Sequence, residues 1–267
     1  VKENGQSVEA SVAKNPTARS VSSIYSYIHK GKIRTKTIDL PRAAGYKVRK
    51  KLKAEYKVNY DYLEGRRIED LGVYLMENPG TFFWQMDTVE GRSKDEAAVL
   101  TLLYSACNLQ LMFRINSVTQ AEVICVFREI RSKLGASLFS ETFSVILTDN
   151  GPEFKDPLAL ETDPETGEKA IRIFFCHPQS SNEKAECENN HSLIRRIVPK
   201  GTCWIPYTQD DINYISLMIN NYVRPMLNYN SPYQVADGIL NKKVLELNNL
   251  KYVASNEVKL KPFIKKF

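Results

Sequence analysis

The stretch VILTDNGPEF, residues 145–154, contains a buried strand that ends directly at a carboxylate. Its first four residues have the apolar and β-branched character of a strand. Asp149, Asn150 and Gly151 follow, and these residue types favour tight turns because they tolerate positive φ. Taken alone, a plain turn is the more common explanation. Asp149 becomes a candidate for chemistry only if other acids meet it at this edge of the fold.

The bulk composition is that of a soluble globular protein. The chain has 267 residues, enough for one large domain or for a main domain with a small one. Hydrophobic residues make up 43% and charged residues 25%. No apolar run approaches the roughly 18 residues that span a bilayer, and no signal peptide opens the chain, so no membrane partner is expected. The chain begins at Val1 rather than Met, and we expect further residues upstream.

Five cysteines are spread along the chain without a C-x-x-C pair, which disfavours a zinc ribbon: Cys107, Cys125, Cys176, Cys187 and Cys203. Their odd number and wide spacing fit reduced thiols in a cytoplasmic protein. We expect most of them to be small core residues.

Positive charge is concentrated at the front of the chain. The net charge is +6, but residues 1–67 carry 16 Lys and Arg against 6 Asp and Glu, whereas the remainder is acidic. The excess is densest in 30–57, with 11 basic residues and 2 acids. This asymmetry predicts a polyanionic partner such as DNA. The alternative is a solvated linker whose charge serves solubility.

Two short helices are predicted before this basic segment, at 6–13 and 20–29, with Ser20 or Ser22 as the cap of the second. Such a pair fits a helix-turn-helix, whose second helix enters the major groove by its N-terminal end. A plain structural hairpin explains the pattern equally well. The candidate DNA contacts are Ser22, Ser23, Ser26 and Tyr27 on the second helix, followed by Lys47, Arg49, Lys50 and Lys51 in an extended basic linker that would lie along phosphates.

From about residue 80 the pattern is that of a mixed α/β domain. The alternation and burial patterns predict five strands, at 81–91, 97–106, 109–116, 143–149 and 171–177. Helices are predicted at 119–135, 180–201 and 208–225, with Gly135 and Thr208 as end signals. Residues 156–170 are acidic and rich in turn formers, and are interpreted as a surface loop. The tail after about residue 240 has no clear pattern.

Three acids of this domain are candidates for one site. Asp87 lies on the first strand, Asp149 ends the fourth, and Glu188 lies on the polar helix at 180–201. Carboxylates brought together repel one another, and a divalent cation with a preference for hard oxygen ligands, Mg²⁺ or Mn²⁺, removes that conflict. Two such ions clamp the attacking and leaving oxygens of a phosphodiester. The histidines, His29, His177 and His191, are too scattered to suggest a histidine-based metal site.

Basic side chains accompany Glu188 on the predicted helix. Lys184, His191 and Arg195 fall near its face and are candidates for holding a scissile phosphate, together with Lys200 beyond the helix. For Lys184 the simpler interpretation is an i,i+4 ion pair with Glu188 on an exposed helix. The remaining nearby acids are interpreted as solvated charges: Glu90, Glu153, Glu183 and Glu186.

Several strings in order along the chain carry a family resemblance: MDTVEG (86–91), VILTDNGPEF (145–154), FFCHPQSS (174–181), ENNHSLIRRIVPKGT (188–202) and NYNSPYQVA (228–236). Together they resemble the IS-thirty family of bacterial insertion-sequence transposases, which are DDE enzymes. The resemblance places the family's catalytic and metal-binding acids on Asp87, Asp149 and Glu188. The departures are Asn182 where relatives usually have Trp, Ala185 where they often have Gly, and a spacing of 38 residues between the last two acids.

The resemblance implies a ribonuclease-H-like mixed five-stranded sheet with flanking helices, after a small helix-turn-helix segment and a basic linker. The expected domains are 1–31 for a partial helix-turn-helix, 32–79 for the linker, 80–238 for the integrase-like catalytic core and 239–267 for a tail. It also implies a homo-oligomer that uses Mg²⁺ or Mn²⁺, as two ions, to cleave element ends and join their 3′-hydroxyls to target DNA. Such an enzyme works in the bacterial cytoplasm, at the nucleoid when bound to DNA. A nuclease that cuts without rejoining, and a non-catalytic DNA-binding regulator, are the alternatives.

Overall fold

The core of the protein is a mixed five-stranded β-sheet. A computed structural model describes residues 4–13, 15, 19–40, 61–92, 96–178 and 180–265. The strands are β1 (Trp84–Glu90), β2 (Ala98–Tyr104), β3 (Leu109–Ile115), β4 (Val145–Thr148) and β5 (Arg172–Phe175). Their order is β3-β2-β1-β4-β5, with β1, β2 and β3 antiparallel and β4 and β5 parallel to β1. This topology confirms the predicted ribonuclease-H-like fold, with each of the five strands within or beside its predicted range.

Ten α-helices flank the sheet or extend from it within the described ranges: α1 (Val8–Ala13), α2 (Val21–His29), α3 (Ile68–Glu77), α4 (Gln120–Leu134), α5 (Ala136–Thr142), α6 (Pro157–Glu161), α7 (Ala185–Ile197), α8 (Gln209–Asn220), α9 (Pro232–Ile239) and α10 (Lys242–Glu246). Several begin and end where sequence signals predict. Ser20 caps α2 and Thr208 caps α8 by accepting backbone N–H groups. Gly135, at φ 81°, ends α4.

The two faces of the sheet pack against different helices. Met86 and Leu100 point to the face covered by α4 and α5, where Phe127 and Phe139 complete a large apolar core. The opposite face, which includes Val99, packs against α7 and α8. Side chains alternate between faces along a strand, so the odd-numbered residues of β1 face α7. That alternation directs Asp87 toward the helix on which Glu188 lies.

Residues 156–170 are not the simple surface loop that the sequence predicts. They contain α6, and Leu160 and Glu161 are buried against the sheet. Arg66 and Lys169 form ion pairs with Glu161 at 2.6 and 3.1 Å. The acidic and turn-forming composition of this segment predicts a solvated loop. The ion pairs of the buried Glu161 instead hold the segment against the sheet.

Two further segments differ from their predicted roles. α3 lies inside the range predicted as linker, yet Leu71 packs with β4 and β5 in an apolar cluster. The tail, which had no clear pattern, forms α10 and then packs Val258 and Leu260 against the N-terminal segment. The Leu260 N–H donates to the carbonyl of Asn4. Both segments are therefore part of the fold, since their apolar residues find partners that are remote in sequence.

Candidate active site

The register of the sheet brings Asp87 and Asp149 to the same edge. β1 pairs with β4 in parallel, with Trp84 opposite Ile146 and Gln85 opposite Leu147. The same register, continued along the two strands, sets Asp87 opposite Asp149. The Thr148 hydroxyl donates to the Met86 carbonyl at 3.2 Å and holds the strand ends together. The two aspartates, 62 positions apart in the sequence, therefore meet at the end of β4.

A buried lysine occupies the space between these carboxylates. Lys184 Nζ lies 3.2 Å from Asp87 Oδ2 and 3.3 Å from Asp149 Oδ2, and it donates to the Met86 carbonyl. Burial alone would lower the pKa of Lys184, but the two aspartates raise it above its ordinary value, so the side chain stays an ammonium ion. The interpretation of Lys184 as an exposed partner of Glu188 is wrong, because its side chain is only 6% exposed and is held by the aspartates.

The position of the Lys184 ammonium group shows whether a metal ion would fit between Asp87 and Asp149. A cation already lies within contact distance of an oxygen from each aspartate, which shows that the position suits positive charge. Both donors are carboxylate oxygens, the ligands that Mg²⁺ and Mn²⁺ prefer. The residues present therefore fit a hard divalent cation.

The turn after β4 has two functions. The Gly151 N–H donates to Asp149 Oδ1 at 3.0 Å, which orients that carboxylate. Asn150 Nδ2 donates to the Cys176 carbonyl at 2.7 Å, and Asn150 Oδ1 accepts from the Tyr62 hydroxyl. Asn150 thus connects the ends of β4 and β5, while the turn aims Asp149. The sequence motif is both a turn and part of a site.

Glu153 is a fourth acid at this edge and is not the solvated charge that the sequence predicts. It is only 5% exposed and accepts a hydrogen bond from the Thr88 hydroxyl at 2.7 Å. Burial raises the pKa of Glu153, and the charges of Asp149 and Asp87 raise it further. A Cβ at Gly151 would lie 2.6 Å from Glu153 Oε2, so the glycine makes room for this carboxylate. Pro152 begins the short 3₁₀ turn Pro152–Phe154, which contains this buried glutamate.

Glu188 lies on the first turn of α7 with an exposed side chain. Within the part of the chain that the structure describes, it does not join the two aspartates in a group of ligand atoms all within 4.8 Å of one another. Lys184 and His191 precede and follow it at helical spacing, so Glu188 shares their side of α7. The structure thus places two of the three predicted acids, Asp87 and Asp149, in contact with the Lys184 ammonium group. The third, Glu188, is exposed on α7.

His191 and Cys187 lie beside Asp87. The Cys187 sulfur is 3.4 Å from His191 Nε2 and 3.9 Å from Asp87 Oδ2, and His191 Nδ1 is 3.9 Å from the same oxygen. The three histidines do not meet, since His177 lies beside Glu69 and Glu183, but His191 by itself joins Asp87 and Cys187. Sequence analysis missed Cys187, although its spacing of four residues from His191 on a helix is a usable signal.

The other acids interpreted as solvated divide into two groups. Glu90 is exposed, as expected. Glu183 instead accepts the His177 N–H groups of the backbone and ring at 2.8 and 2.9 Å, and Glu186 accepts from Gln85 at 3.2 Å. These contacts fix the entry to α7 against β5 and β1, so the prediction is wrong for both residues.

The candidate DNA contacts are dispersed. Ser22 is exposed on α2, and three further candidates on that helix are partly exposed: Ser23, Ser26 and Tyr27. Arg195 donates to the Glu90 carbonyl at 2.6 Å, and Lys200 is exposed beyond α7. Four candidates in the basic segment lie outside the described residues: Lys47, Arg49, Lys50 and Lys51. A DNA-binding role for these residues stays a prediction.

The chain is similar in sequence to several insertion-sequence transposases. The transposase of element IS1086 from Cupriavidus metallidurans is 29% identical over 59% of this chain and 43% of its own length. The transposase of element IS30A from Escherichia coli is 28% identical over 58% and 37%. A probable transposase of element IS1161 from Streptococcus salivarius is 26% identical over 79% and 57%. These matches confirm the predicted resemblance, and this chain spans less than half the length of the first two relatives.

Solved structures give a more distant likeness. The catalytic core of the HTLV-2 integrase, solved in complex with magnesium, is 18% identical over 57% of this chain and 94% of its own, with a TM-score of 0.41. The catalytic core of the BIV integrase is 17% identical over 58% and 93%, with a TM-score of 0.39. No protein-family model matches the chain. Among the described helices, none has the length and apolar composition needed to cross a membrane.

Proposed function

We propose that this chain is the catalytic part of an IS30-type DNA transposase, which cleaves the ends of an insertion sequence and joins their 3′-hydroxyls to target DNA. The main support for the proposal is that Asp87 and Asp149, on the parallel neighbours β1 and β4, both contact the Lys184 ammonium group at the end of β4. The sequence similarity to insertion-sequence transposases supports the same reaction.

Asp87, Asp149 and Glu188 are the residues proposed to hold Mg²⁺ or Mn²⁺, as two ions. Such ions, when bound, activate the attacking oxygen and stabilise the leaving oxygen of a phosphodiester. Glu188 is exposed on α7 and has freedom to turn toward the aspartates when DNA is present. Nothing in this chemistry requires a nucleophilic side chain from the protein.

Lys184 has to release the aspartates before they can ligate a metal. Its ammonium contacts Oδ2 of both residues, and those oxygens cannot serve a lysine and a divalent cation equally. A freed Lys184 side chain would remain at the rim of the site, close enough to contact a scissile phosphate. The proposal thus gives the Lys184 side chain two positions: buried between the aspartates in the structure, and in contact with a phosphate after it has released them.

The proposed partners are the element ends and the target DNA, contacted by α2, the basic segment 30–57, Arg195 and Lys200. A homo-oligomer is proposed because two element ends have to be processed together. The proposed division of the chain keeps a helix-turn-helix in 1–31 and the catalytic core in 80–238, with α3 and the tail packed onto that core. The work would take place in the bacterial cytoplasm at the nucleoid.

The test is a joining assay with the full-length protein, Mg²⁺ and labelled duplex carrying the ends of its own element. We expect joined product from the unchanged protein. Asp87→Asn, Asp149→Asn and Glu188→Gln should each lower the rate by at least about 10³-fold, because each removes a ligand of the metal ions that stabilise the transition state. DNA binding, measured by gel shift, should change little in all three.

Glu90→Gln is the matched control, since Glu90 is an exposed acid on the same strand as Asp87. It should join DNA at the unchanged rate. Cutting without joining would instead indicate a nuclease, and binding without any reaction would indicate a regulator. Full turnover in any one of the three acid variants would remove that residue from the site.

A further inference from the structure

The contacts of Cys187, His191 and Asp87 form a second, chemically different set of metal ligands. Their sulfur, nitrogen and oxygen atoms all lie within 4.8 Å of one another. A tetrahedral Zn²⁺ with bonds of about 2.0 to 2.3 Å needs its ligands roughly 3.3 to 3.7 Å apart. Asp87 Oδ2 lies 3.9 Å from both the Cys187 sulfur and His191 Nδ1, so shortening each distance by about half an ångström would bring these atoms to that spacing.

These ligands are held in place by their neighbours. Gln85 Oε1 accepts the Cys187 backbone N–H at 3.2 Å, which fixes the first turn of α7 over β1. Thr101 Oγ1 lies 3.1 Å from His191 Nε2 and donates its own proton to the Asp87 carbonyl. The hydroxyl oxygen therefore accepts the Nε2 proton of His191, which leaves Nδ1, 3.9 Å from Asp87 Oδ2, as the ring nitrogen with a lone pair for a metal.

Burial and ligand type favour a transition metal over Mg²⁺. Cys187 is fully buried, and the side chains of His191 and Asp87 are each 19% exposed, which leaves an open side for a water ligand. Thiolate and imidazole suit Zn²⁺ or Co²⁺, whereas Mg²⁺ prefers oxygen. Binding releases the Cys187 thiol proton to solvent as the sulfur–metal bond forms.

We propose that Asp87, Cys187 and His191 form a Zn²⁺-binding site that competes with the catalytic metal for Asp87. The competition follows from the geometry of one carboxylate. Asp87 Oδ1 accepts the Thr88 N–H at 2.8 Å, so Oδ2 is the oxygen that faces Lys184, Cys187 and His191. The same oxygen cannot be committed to both metals. Micromolar Zn²⁺ therefore inhibits an enzyme that works with Mg²⁺, a consequence that rests on the proposed function.

The direct test is a titration of the full chain, kept reduced, with Co²⁺ as the spectroscopic substitute for Zn²⁺. We expect a thiolate-to-cobalt charge-transfer band in the near ultraviolet that saturates at one ion per chain and disappears when Zn²⁺ is added. Cys187→Ser should abolish the band, and His191→Gln should weaken Co²⁺ binding at least about tenfold. Circular dichroism would verify that both variants are folded.

Cys125→Ser is the matched control, because Cys125 is an exposed cysteine remote from the site on α4. It should leave the band unchanged. An absent band in the unchanged protein, or an equal band in folded Cys187→Ser, would overturn the site.

The second arm measures strand joining at fixed Mg²⁺ with increasing Zn²⁺. The concentration of Zn²⁺ for half-inhibition should rise at least about tenfold in Cys187→Ser relative to the unchanged protein. Equal inhibition of both proteins would overturn the competition. A chain that binds Co²⁺ as described but never joins DNA would refute the proposed transposase while leaving the metal site intact.

Discussion

At the scale of single residues, the candidate site combines several carboxylates with one lysine ammonium group. Three carboxylates from two strand ends and a turn converge: Asp87, Asp149 and Glu153. Lys184 supplies the one ammonium in contact with both aspartates among the described residues. Burial raises the pKa of Glu153, and the charges of Asp149 and Asp87 raise it further. Lys184 is the counter-charge that the two aspartates share, so a cation held by the same oxygens would have to replace it.

Replacing the lysine should expose this competition. We expect Lys184→Met to lower the free energy of unfolding by about 1–3 kcal/mol in the presence of a chelator, because the carboxylates lose their counter-charge. The same variant should gain more from Mg²⁺ than the unchanged protein does, since no lysine has to leave. Thermal unfolding with chelator and with Mg²⁺ measures both effects.

Lys200→Met serves as the control, because Lys200 is an exposed lysine beyond α7. Its response to Mg²⁺ should match that of the unchanged protein. If Lys184→Met and the unchanged protein gained equally from Mg²⁺, the lysine and the metal would not share the aspartate oxygens.

At the scale of elements, α6 shows how a short helix is held by one buried charge. Glu161 is 2% exposed at the end of α6 and accepts the Ile173 N–H of β5 at 2.9 Å. Arg66 and Lys169 complete its contacts. The Arg131 guanidinium on α4 also contacts Asp163, which follows α6. The acidic segment after the catalytic turn is thereby fastened to the sheet rather than free to swing over the site.

Removing this charge should loosen α6 in a pH-dependent way. Burial alone would raise the pKa of Glu161, but hydrogen bonds from Arg66, Ile173 and Lys169 outweigh burial and lower it. A lowered pKa in the folded state adds stability above the ordinary pKa of about 4.3, and that stability is lost as the pH falls toward the folded value. We expect Glu161→Gln to cost about 2–3 kcal/mol at pH 7, the partial exposure of Lys169 moderating the loss.

The measurement is denaturant unfolding of Glu161→Gln and the unchanged protein from pH 7 down to pH 3. The difference should shrink as the pH falls below about 4.3, because the glutamate of the unfolded chain takes up its proton there before that of the folded protein does. Glu168→Gln, an exposed acid of the same segment, should show no difference at any pH. A constant difference across the range would mean that the loss comes from packing and not from the charge.

At the scale of the whole molecule, the two ends of the chain differ in charge but pack against each other. Positive charge is concentrated before residue 68, while the acids of the site come later. Packing nevertheless joins the two ends, because Gln6 Nε2 donates to the carbonyls of Ser255 and Val258 at 2.6 and 2.8 Å. The N-terminal segment is thus attached to the sheet domain through the tail, and these contacts hold the two in a defined relation.

The basic segment should determine the salt dependence of DNA binding. Changing Lys47, Lys50, Lys51 and Lys53 to Gln should weaken binding to any duplex and flatten the plot of log K against log salt. Each lysine–phosphate pair that the substitutions remove reduces the slope by about 0.9. Fluorescence anisotropy with a labelled duplex at several salt concentrations measures the slope.

The control changes the same number of charges elsewhere: Lys242, Lys243, Lys259 and Lys261 to Gln, all exposed at the opposite end of the chain. This variant has the same net charge and should keep the original slope. Equal slopes for the basic-segment variant and the unchanged protein would make that segment a bystander.

The sequence by itself determined the five strands and five of the ten described helices, α1, α2, α4, α7 and α8, with several of their end signals. Local patterns suffice for these, since alternation, helical periodicity and caps act within a few residues. It also singled out Asp149, because a carboxylate directly after a strand is visible locally, and Asp87 as an acid within a strand. The burial of Lys184 and Glu153, the α6 network and the Cys187–His191–Asp87 contacts were decided only by the tertiary structure. Each depends on partners tens of residues apart, and only the sheet register and the placement of α7 over β1 bring those partners within hydrogen-bonding distance.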